Sequence, residues 1–444
     1  MILKRKVYLK IFIILLISGV MTISACSGKS SEKEYILNNI QELKLEDCNH
    51  NSEFDYIIDD IKDKRVVITT ESHGIAENDL IRTKITNYLM DNWDLKYVLI
   101  EDGYAGGEIL NKYIQNGDEN NLEEYSNIWL SKFNTKSDLN YLRTLAEKNK
   151  TRPSNNKIKI IGIDVIEDSL SIEYYFNIVK ENKNLSEERV NELNKFLETI
   201  KDVDILDSDY HIVENSKQRR LDAINQLEKE LETNKKEYEE TLGEDLYNIE
   251  FIINNIKNMQ ELNGLSFDDA HNNKESYEIR DKYSYENFRE LDNHFNLDKC
   301  YMHYGGLHGY QKEFNGVKFL ASYMQNDEKL KGKLYSINTI YMEGNRYDYG
   351  EGHPTSFYSI NDNLKNILND SKYNGKDVLI KLNGESSPFK KKVSATAFAF
   401  EDSQPTNEEK FKDNKGVTTD YYQSIIVISK PTAVEWNLEK FIRK

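Results

Sequence analysis

Residues 65–74 read Arg65-Val-Val-Ile-Thr-Thr-Glu71-Ser-His73-Gly74, and this stretch decides the fold class. The apolar and β-branched run at its start predicts a buried strand. The polar residues Glu71 and His73 follow that run directly. Apolar residues then recur at helical spacing between residues 78 and 92. A buried strand that leads into a helix predicts the first unit of an α/β domain.

The same alternation of strand and helix continues along the chain. Further predicted strands are Tyr97–Ile100, Lys157–Ile163, Cys300–His303, Lys333–Tyr341, Asp377–Leu382 and Ser424–Ser429. Strands separated by helical stretches predict a mostly parallel central sheet flanked by helices. The last strands lie far apart in sequence, so we expect one α/β domain over residues 46–444, with a helical insertion, rather than independent modules.

Residues 167–262 have a different character from the rest of the chain. They are strongly charged, nearly free of strand patterns, and have helical periodicity. The predicted helices are Leu185–Ile200, Gln218–Thr233 and Lys236–Leu262. We expect this stretch to be a long helical insertion that forms a cap. Another helix is predicted at Arg280–Phe295.

The first 25 residues have the pattern of a signal peptide. Basic residues precede a ten-residue apolar run, Ile11–Val20, which is too short to span a bilayer. Small residues then lead to Cys26 in a pattern that resembles a bacterial lipobox. The resemblance implies cleavage before Cys26 and a lipid on it, with the protein anchored at the extracytoplasmic face of a bacterial cell membrane. Residues 26–45 would be the lipidated tether and lead-in; a secretory signal with an incidental Cys26 is the alternative.

Composition excludes several other classes of protein. Asp and Glu number 76 and Lys and Arg 59, which gives a formal net charge of −17, so we do not expect nucleic acid as a partner. Hydrophobic residues make up 38% of the chain, which excludes a multi-span membrane protein. Three cysteines are too few for a disulfide scaffold or a cysteine-rich zinc module. The sequence leaves open whether Cys48 and Cys300 pair.

Acidic and imidazole side chains follow the predicted strands. In open parallel sheets, ligands bind beyond the carboxyl ends of the strands. Glu71 with His73, Glu101 and Asp164 follow the first three strands, and His303 and His308 follow a later one. Gathered in one crevice, these groups could activate water for hydrolysis. The alternative is a divalent metal, for which His73, Glu101 and His308 are the candidate ligands.

These residues resemble the motifs of the erythromycin esterase family. The resemblance rests on Glu71-Ser-His73-Gly74, on Glu77 and Arg82 in the next helix, on Ile100-Glu101, on Ile160-Ile-Gly-Ile-Asp164 and on Arg280-Asp281. It covers about residues 60–435, and the helical insertion corresponds to a region that shapes the family's substrate cleft. It implies an α/β fold and a hydrolase that cleaves an ester or a related bond in a small-molecule substrate.

The resemblance also implies roles for individual residues. His73 would be the general base for water, and Glu71 or Glu101 would orient it. His303 or His308 would bind the developing oxyanion or protonate the leaving group. Arg82, Arg280 and Asp164 would contribute to substrate binding, although each arginine could instead form a structural ion pair with Glu77 or Asp281.

The chain departs from the family pattern at three points. Thr70 stands where the family has a glycine before the first Glu. Glu71 lies two residues before His73 where the esterases have three, which is more like haem-binding lipoproteins of the same fold. The later histidine motif is His303-Tyr-Gly-Gly-Leu-His308, which has two extra positions. Two other functions therefore stay open: a non-catalytic lipoprotein that binds haem, iron or an envelope ligand, and a surface factor that contacts a host protein through residues 167–262.

Overall fold

One sheet of eight strands, most of them parallel, forms the centre of the computed structural model. The structure describes residues 32–47, 51–119, 122, 135–201, 217–262, 274–348, 351–391 and 416–435. Its strands are β1 (Ile40–Leu43), β2 (Val66–Glu71), β3 (Tyr97–Ile100), β4 (Lys159–Gly162), β5 (Cys300–Gly305), β6 (Leu334–Tyr341), β7 (Gly344–Asp348), β8 (His353–Phe357), β9 (Asp377–Lys381) and β10 (Ser424–Ile428). The order across the sheet is β1-β9-β10-β6-β2-β5-β3-β4, and β7 pairs with β8 as a separate hairpin.

Helices connect most of these strands. They are α1 (32–38), α2 (Asp55–Ile61), α3 (Glu77–Asn92), α4 (Tyr104–Asn116), α5 (Lys136–Thr151), α6 (Ser169–Asn182), α7 (Glu187–Lys201), α8 (Lys217–Thr233), α9 (Lys235–Leu242), α10 (Glu244–Met259), α11 (Lys274–Phe295), α12 (Leu320–Asn326), α13 (Asp362–Asn369) and α14 (Thr418–Tyr421). No helix in these ranges is both long enough and apolar enough to cross a membrane. Residues 1–25 and Cys26 lie outside the described residues.

The pairing of the strands confirms the predicted α/β class with a mostly parallel sheet. The run from β10 through β6, β2, β5 and β3 to β4 is parallel throughout. Only β9 opposes its neighbours, β10 and β1. Because the parallel strands point the same way, their carboxyl ends meet along one edge of the sheet.

Burial on both faces explains why the central strands have continuous apolar runs. The first five residues of β2, from Val66 to Thr70, are buried, and so are all eight residues of β6. Helices cover both faces of a parallel sheet, so its strands lack the alternation of apolar and polar residues that a half-exposed strand has. The predicted strand Lys333–Tyr341 matches β6 to within one residue.

The described part of residues 167–262 contains helices and no strand, as the sequence predicts. The predicted helix Lys236–Leu262 is in fact divided into α9 and α10 at Gly243. The backbone of Gly243 has φ of 59°, a left-handed conformation that interrupts the helix and favours glycine. At the other end of the chain, β1 joins the sheet from within residues 26–45, the segment that the sequence assigned to the tether and lead-in.

Candidate active site

Side chains at the carboxyl ends of β2, β3, β4 and β5 converge on one cleft. Glu71 ends β2 and lies opposite Gly305 of β5 in the sheet, and His303 of β5 lies opposite Ile100 of β3. Glu101 follows β3 at once, and Asp164 lies two residues beyond β4. The parallel register therefore brings together groups that are up to 234 residues apart in sequence.

Glu71 binds two imidazoles at once. Its Oε1 lies 2.8 Å from Nδ1 of His73, and its Oε2 lies 2.6 Å from Nε2 of His303. Burial raises the pKa of Glu71, but its interactions with His303 and His73 outweigh burial and hold the pKa well below its usual range. An ionised carboxylate only accepts hydrogen bonds, so each of the facing imidazole nitrogens carries a proton.

The loop that carries His73 is held by a strand on the other side of β2. The hydroxyl of Tyr341 donates to Oδ1 of Asn78 at 2.6 Å and accepts from the backbone N–H of Ser72 at 3.0 Å. Gly74 has φ of 85°, and its carbonyl accepts from the N–H of Tyr347 at 2.8 Å. A Cβ at Gly74 would lie 2.2 Å from the carbonyl oxygen of Tyr347, so no other residue fits.

A second group of charges surrounds Glu101. Arg280 of α11 donates from Nη2 to Oε1 of Glu101 at 3.0 Å and from Nε to both oxygens of Asp164 at 3.1 Å. The N–H of Gly305 donates to Oε2 of Glu101 at 2.7 Å. Burial raises the pKa of Glu101, but His308, Arg280 and His73 outweigh it and lower the pKa to about 2. Arg280 thus forms ion pairs with Asp164 and Glu101.

His308 has a carboxylate of its own. Its Nδ1 lies 2.7 and 2.9 Å from the two oxygens of Asp281, a residue of α11 that is 2% exposed. Its Nε2 lies 3.6 Å from Oε1 of Glu101, which is beyond hydrogen-bond distance. Burial lowers the pKa of His308, but Asp281 and Glu101 outweigh burial and raise it. The two carboxylates therefore favour the protonated form of this imidazole.

The absence of a side chain at Gly305 leaves space between His73 and Glu101. A Cβ built there would lie 3.1 Å from Nε2 of His73 and 3.3 Å from Oε2 of Glu101. Both atoms therefore face one small volume at the end of β5. Burial lowers the pKa of His73, but its hydrogen bond to Glu71 and the charges of Glu71 and Glu101 raise it to about 9.

Arg82 lies beneath this cleft in a buried ion-pair network. Its Nη2 donates to Asp79 at 2.7 Å and to Asp138 at 2.5 Å, and its guanidinium lies 4.4 Å from the ring centre of Tyr141. Its side chain is 8% exposed. These contacts of Arg82 are with α5 and within α3. Glu77, the ion-pair partner that the sequence suggested for it, accepts hydrogen bonds from Thr432.

The arrangement of side chains at the site does not favour the binding of a divalent metal. Within the described ranges, no group of three or more His, Cys, Asp or Glu side chains is arranged to hold one. The candidate ligands His73, Glu101 and His308 do lie in one cleft, but Arg280 is 3.0 Å from Glu101 and keeps a fixed positive charge beside it. We therefore derive no chemical step through a metal.

Several residues that shape the site were not among the sequence candidates. Asp281 was noted only as part of the Arg280-Asp281 pair, and Gly305 only as part of a loop. Thr69 and Tyr301, which contact Nδ1 of His303, look like ordinary strand residues. Cys300 is a buried free thiol, and Cys48 lies outside the described residues.

One protein-family model matches part of the chain. The family model described as Erythromycin esterase matches residues 94–302, which include Glu101, Asp164 and the Arg280-Asp281 pair. No curated protein has significant sequence similarity to the chain.

Three solved structures share the fold at low sequence identity. A Bacillus cereus protein is 16% identical, with a TM-score of 0.66 over 92% of this chain and 99% of that one. A succinoglycan biosynthesis protein is 15% identical, with a TM-score of 0.65 over the same shares. A mutant of the erythromycin esterase EreC in its open conformation is 12% identical, with a TM-score of 0.61 over 89% of this chain and 98% of that one. By the sequence match over residues 94–302, this part of the chain resembles the erythromycin esterase family.

Proposed function

We propose that the protein hydrolyses an ester bond by acid–base catalysis on a water molecule. One observation carries the proposal: two imidazoles, each hydrogen-bonded to a carboxylate, have their Nε2 atoms beside Glu101. Nε2 of His308 lies 3.6 Å from Oε1 of Glu101, and Nε2 of His73 borders the same space beside Gly305 as Oε2 of Glu101. His73 is held by Glu71, and His308 by Asp281. The family match supports the ester as the bond that is cleaved.

His73 is the proposed general base. Glu71 accepts the proton on Nδ1, so the free-base form of His73 has its lone pair on Nε2, facing the space beside Gly305. Water bound there would donate one proton to Nε2 and one to Oε2 of Glu101. As the water oxygen adds to the ester carbonyl carbon, His73 takes the proton, and Glu71 stabilises the imidazolium that forms.

His308 is the proposed general acid. Its raised pKa favours the protonated imidazole, and its Nε2 makes no hydrogen bond with any described residue. When the tetrahedral intermediate breaks its bond to the leaving oxygen, His308 would give that oxygen a proton and release an alcohol. The acid product leaves with the added water oxygen. The proton on His73 then returns to solvent, and His308 takes a proton from solvent before the next turnover. Arg280 offsets the negative charge of Glu101 and Asp164 and adds positive potential for the oxyanion.

Substrate and location are also proposals. A panel of esters should include macrolide lactones, because the family suggests them, and acylated sugars, because one protein of the same fold acts in succinoglycan biosynthesis. We further propose that lipid on Cys26 anchors the protein to the outer face of the cell membrane, which the sequence around Cys26 supports. Replacing Cys26 with alanine should then abolish palmitate labelling and move the protein from the detergent phase to the aqueous phase.

The test of function is turnover of that panel by wild type and by His73→Ala. We expect the variant to lose about 10²–10⁴-fold in rate, because a general base is removed. Its melting temperature should stay within a few degrees, because His73 is 55% exposed. The control is His294→Ala. His294 stacks on Tyr247 near the C-terminal end of α11, at the edge of the sheet opposite the candidate site. No turnover on any ester, together with a visible absorbance band on adding haem, would favour the ligand-binding alternative.

A further inference from the structure

A chain of two buried hydroxyls ends on His303. The hydroxyl of Tyr301 lies 2.6 Å from Oγ1 of Thr69, and Oγ1 of Thr69 lies 2.6 Å from Nδ1 of His303. Thr69 and Tyr301 are both 0% exposed. The other ring nitrogen of His303, Nε2, lies 2.6 Å from the Glu71 carboxylate. Both nitrogens of the ring are therefore fixed by short contacts.

Counting donors and acceptors gives the chain a direction. The hydroxyl of Tyr301 has two neighbours within hydrogen-bond distance among the described residues, Thr69 and, at 3.4 Å, His303. If Nδ1 of His303 carried a proton, it would donate to Thr69, and Thr69 would donate to Tyr301. The proton of Tyr301 would then be buried with no described acceptor, which is destabilising. In the opposite direction Tyr301 donates to Thr69, Thr69 donates to Nδ1, and every proton has an acceptor.

The contact between Glu71 and Nε2 of His303 requires the same placement of the proton. Glu71 is ionised and only accepts hydrogen bonds, so a lone pair on Nε2 of His303 would face a negatively charged oxygen at 2.6 Å. The proton of a neutral His303 must therefore be on Nε2. The hydroxyl chain and the carboxylate select the same tautomer independently of each other.

We propose that Thr69 and Tyr301 are positioning residues that keep His303 neutral, with its one proton on Nε2 and directed at Glu71. His303 then has no proton to give to a leaving group, and it acts by holding Glu71 in place. This resolves the choice between the two later histidines that the sequence left open, because it leaves His308 as the acid. The catalytic consequence rests on the proposed function, whereas the protonation state of His303 does not.

The direct test is nitrogen NMR of ¹⁵N-histidine-labelled full chain at pH 7, with His303 assigned by its loss in His303→Gln. We expect a protonated Nε2 and an unprotonated Nδ1. A proton on Nδ1, in either the neutral or the doubly protonated ring, would overturn the proposal whatever the enzyme does. If the expected tautomer is found and no ester is cleaved, the proposed function fails and the positioning role stands.

Three variants test whether the hydroxyls cause this state. Thr69→Val removes the hydroxyl that donates to Nδ1 with little change of shape, and we expect proton occupancy on Nδ1 to rise. Tyr301→Phe removes the terminal donor but leaves Thr69 able to donate to Nδ1, so we expect a smaller rise. Thr69→Ser keeps the hydroxyl and is the matched control, for which we expect the wild-type signals.

We expect kcat to depend on the tautomer of His303. In Tyr301→Phe and Thr69→Val we expect kcat to fall about 10–100-fold with KM changed less than about twofold, as when an outer-shell partner of a functional histidine is removed. Thr69→Ser should restore kcat. A purely structural role predicts lower melting temperatures with the His303 signals unchanged, and that result would overturn the proposal.

Discussion

The pairing of Glu71 with His73 sets the pH range in which His73 can act as a base, and Glu71→Gln tests it. The pKa of His73 is raised from 6.5 to about 9, so only about 1% of the imidazole is free base at pH 7. We expect the kcat/KM of wild type to rise with pH as His73 loses its proton, and to fall again where His308, the proposed acid, loses its proton.

The size of the change in Glu71→Gln follows from the contacts of His73. The hydrogen bond and charge of Glu71 are lost, while burial, which lowers the pKa of His73, and the charge of Glu101, which raises it, remain. Because His73 is 55% exposed, solvent screens these charges, and we expect its titration midpoint to fall by about one pH unit or more. The rising limb of kcat/KM should move to lower pH with it.

The measurement is an NMR pH titration of His73 in both proteins, followed by kcat/KM against pH on the best ester of the panel. His294 is the internal control, and its resonances should be the same in both proteins. The maximal kcat/KM of the variant should be lower, because Gln cannot accept from both imidazoles as the carboxylate does. A wild-type midpoint near 6.5, or a midpoint that Glu71→Gln leaves in place, would refute the reasoning.

Three further predictions concern other parts of the site. Asp281→Asn should lower kcat about 10²–10⁴-fold with the protein still folded, because Asn no longer favours the protonated form of His308; retention of full kcat would exclude His308 as the acid. Gly305→Ala should lower kcat about 100-fold with an almost unchanged melting temperature, since its backbone, with φ of −55°, accepts alanine while the methyl group fills the proposed water site. Arg82→Met should lower the free energy of unfolding in urea by about 3–5 kcal/mol, because it leaves buried carboxylates without their cation, whereas Arg143→Met in an exposed pair should change it by less than about 1 kcal/mol. A stable Arg82→Met that only raises KM would instead support the substrate-binding role that the family resemblance implies.

The placement of the acids at strand ends was predictable because it follows from local patterns. A continuous apolar run indicates a parallel strand with both faces covered, and its first polar residue marks the carboxyl end. Glu71, Glu101 and Asp164 all meet that description, and the parallel register brings them to one edge of the sheet. The sequence therefore predicted the cleft without any knowledge of the contacts inside it.

The pairing of side chains within the cleft could not be read from the sequence. Arg280 and Asp281 are neighbours, but successive side chains on a helix point about 100° apart, so they face different partners. Arg280 meets Asp164 and Asp281 meets His308, and both contacts depend on how α11 packs against the sheet. Likewise, Arg82 pairs with Asp138, which is 56 residues away in sequence. The role of Arg82 therefore cannot be inferred from spacing within its own helix.

The short polar strands were missed for a different reason. β1 contains two polar residues among four and lies at the edge of the sheet, so its pattern is too short to give a period. The β7–β8 hairpin is exposed or half-buried at nine of its ten residues, so it has no continuous apolar run. In both places the strand is stabilised by pairing with distant or neighbouring backbone more than by side-chain preference.

A double-variant cycle on His73 and His308 tests most directly that these two imidazoles act together on one ester. The measured quantity is kcat for His73→Ala, for His308→Ala and for the double variant, with melting temperatures to confirm folding. If the two residues are the base and acid of one reaction, each single variant should lose about 10²–10⁴-fold and the double variant little more than the worse single one. Full activity in either single variant, or losses that multiply in the double variant, would contradict the account.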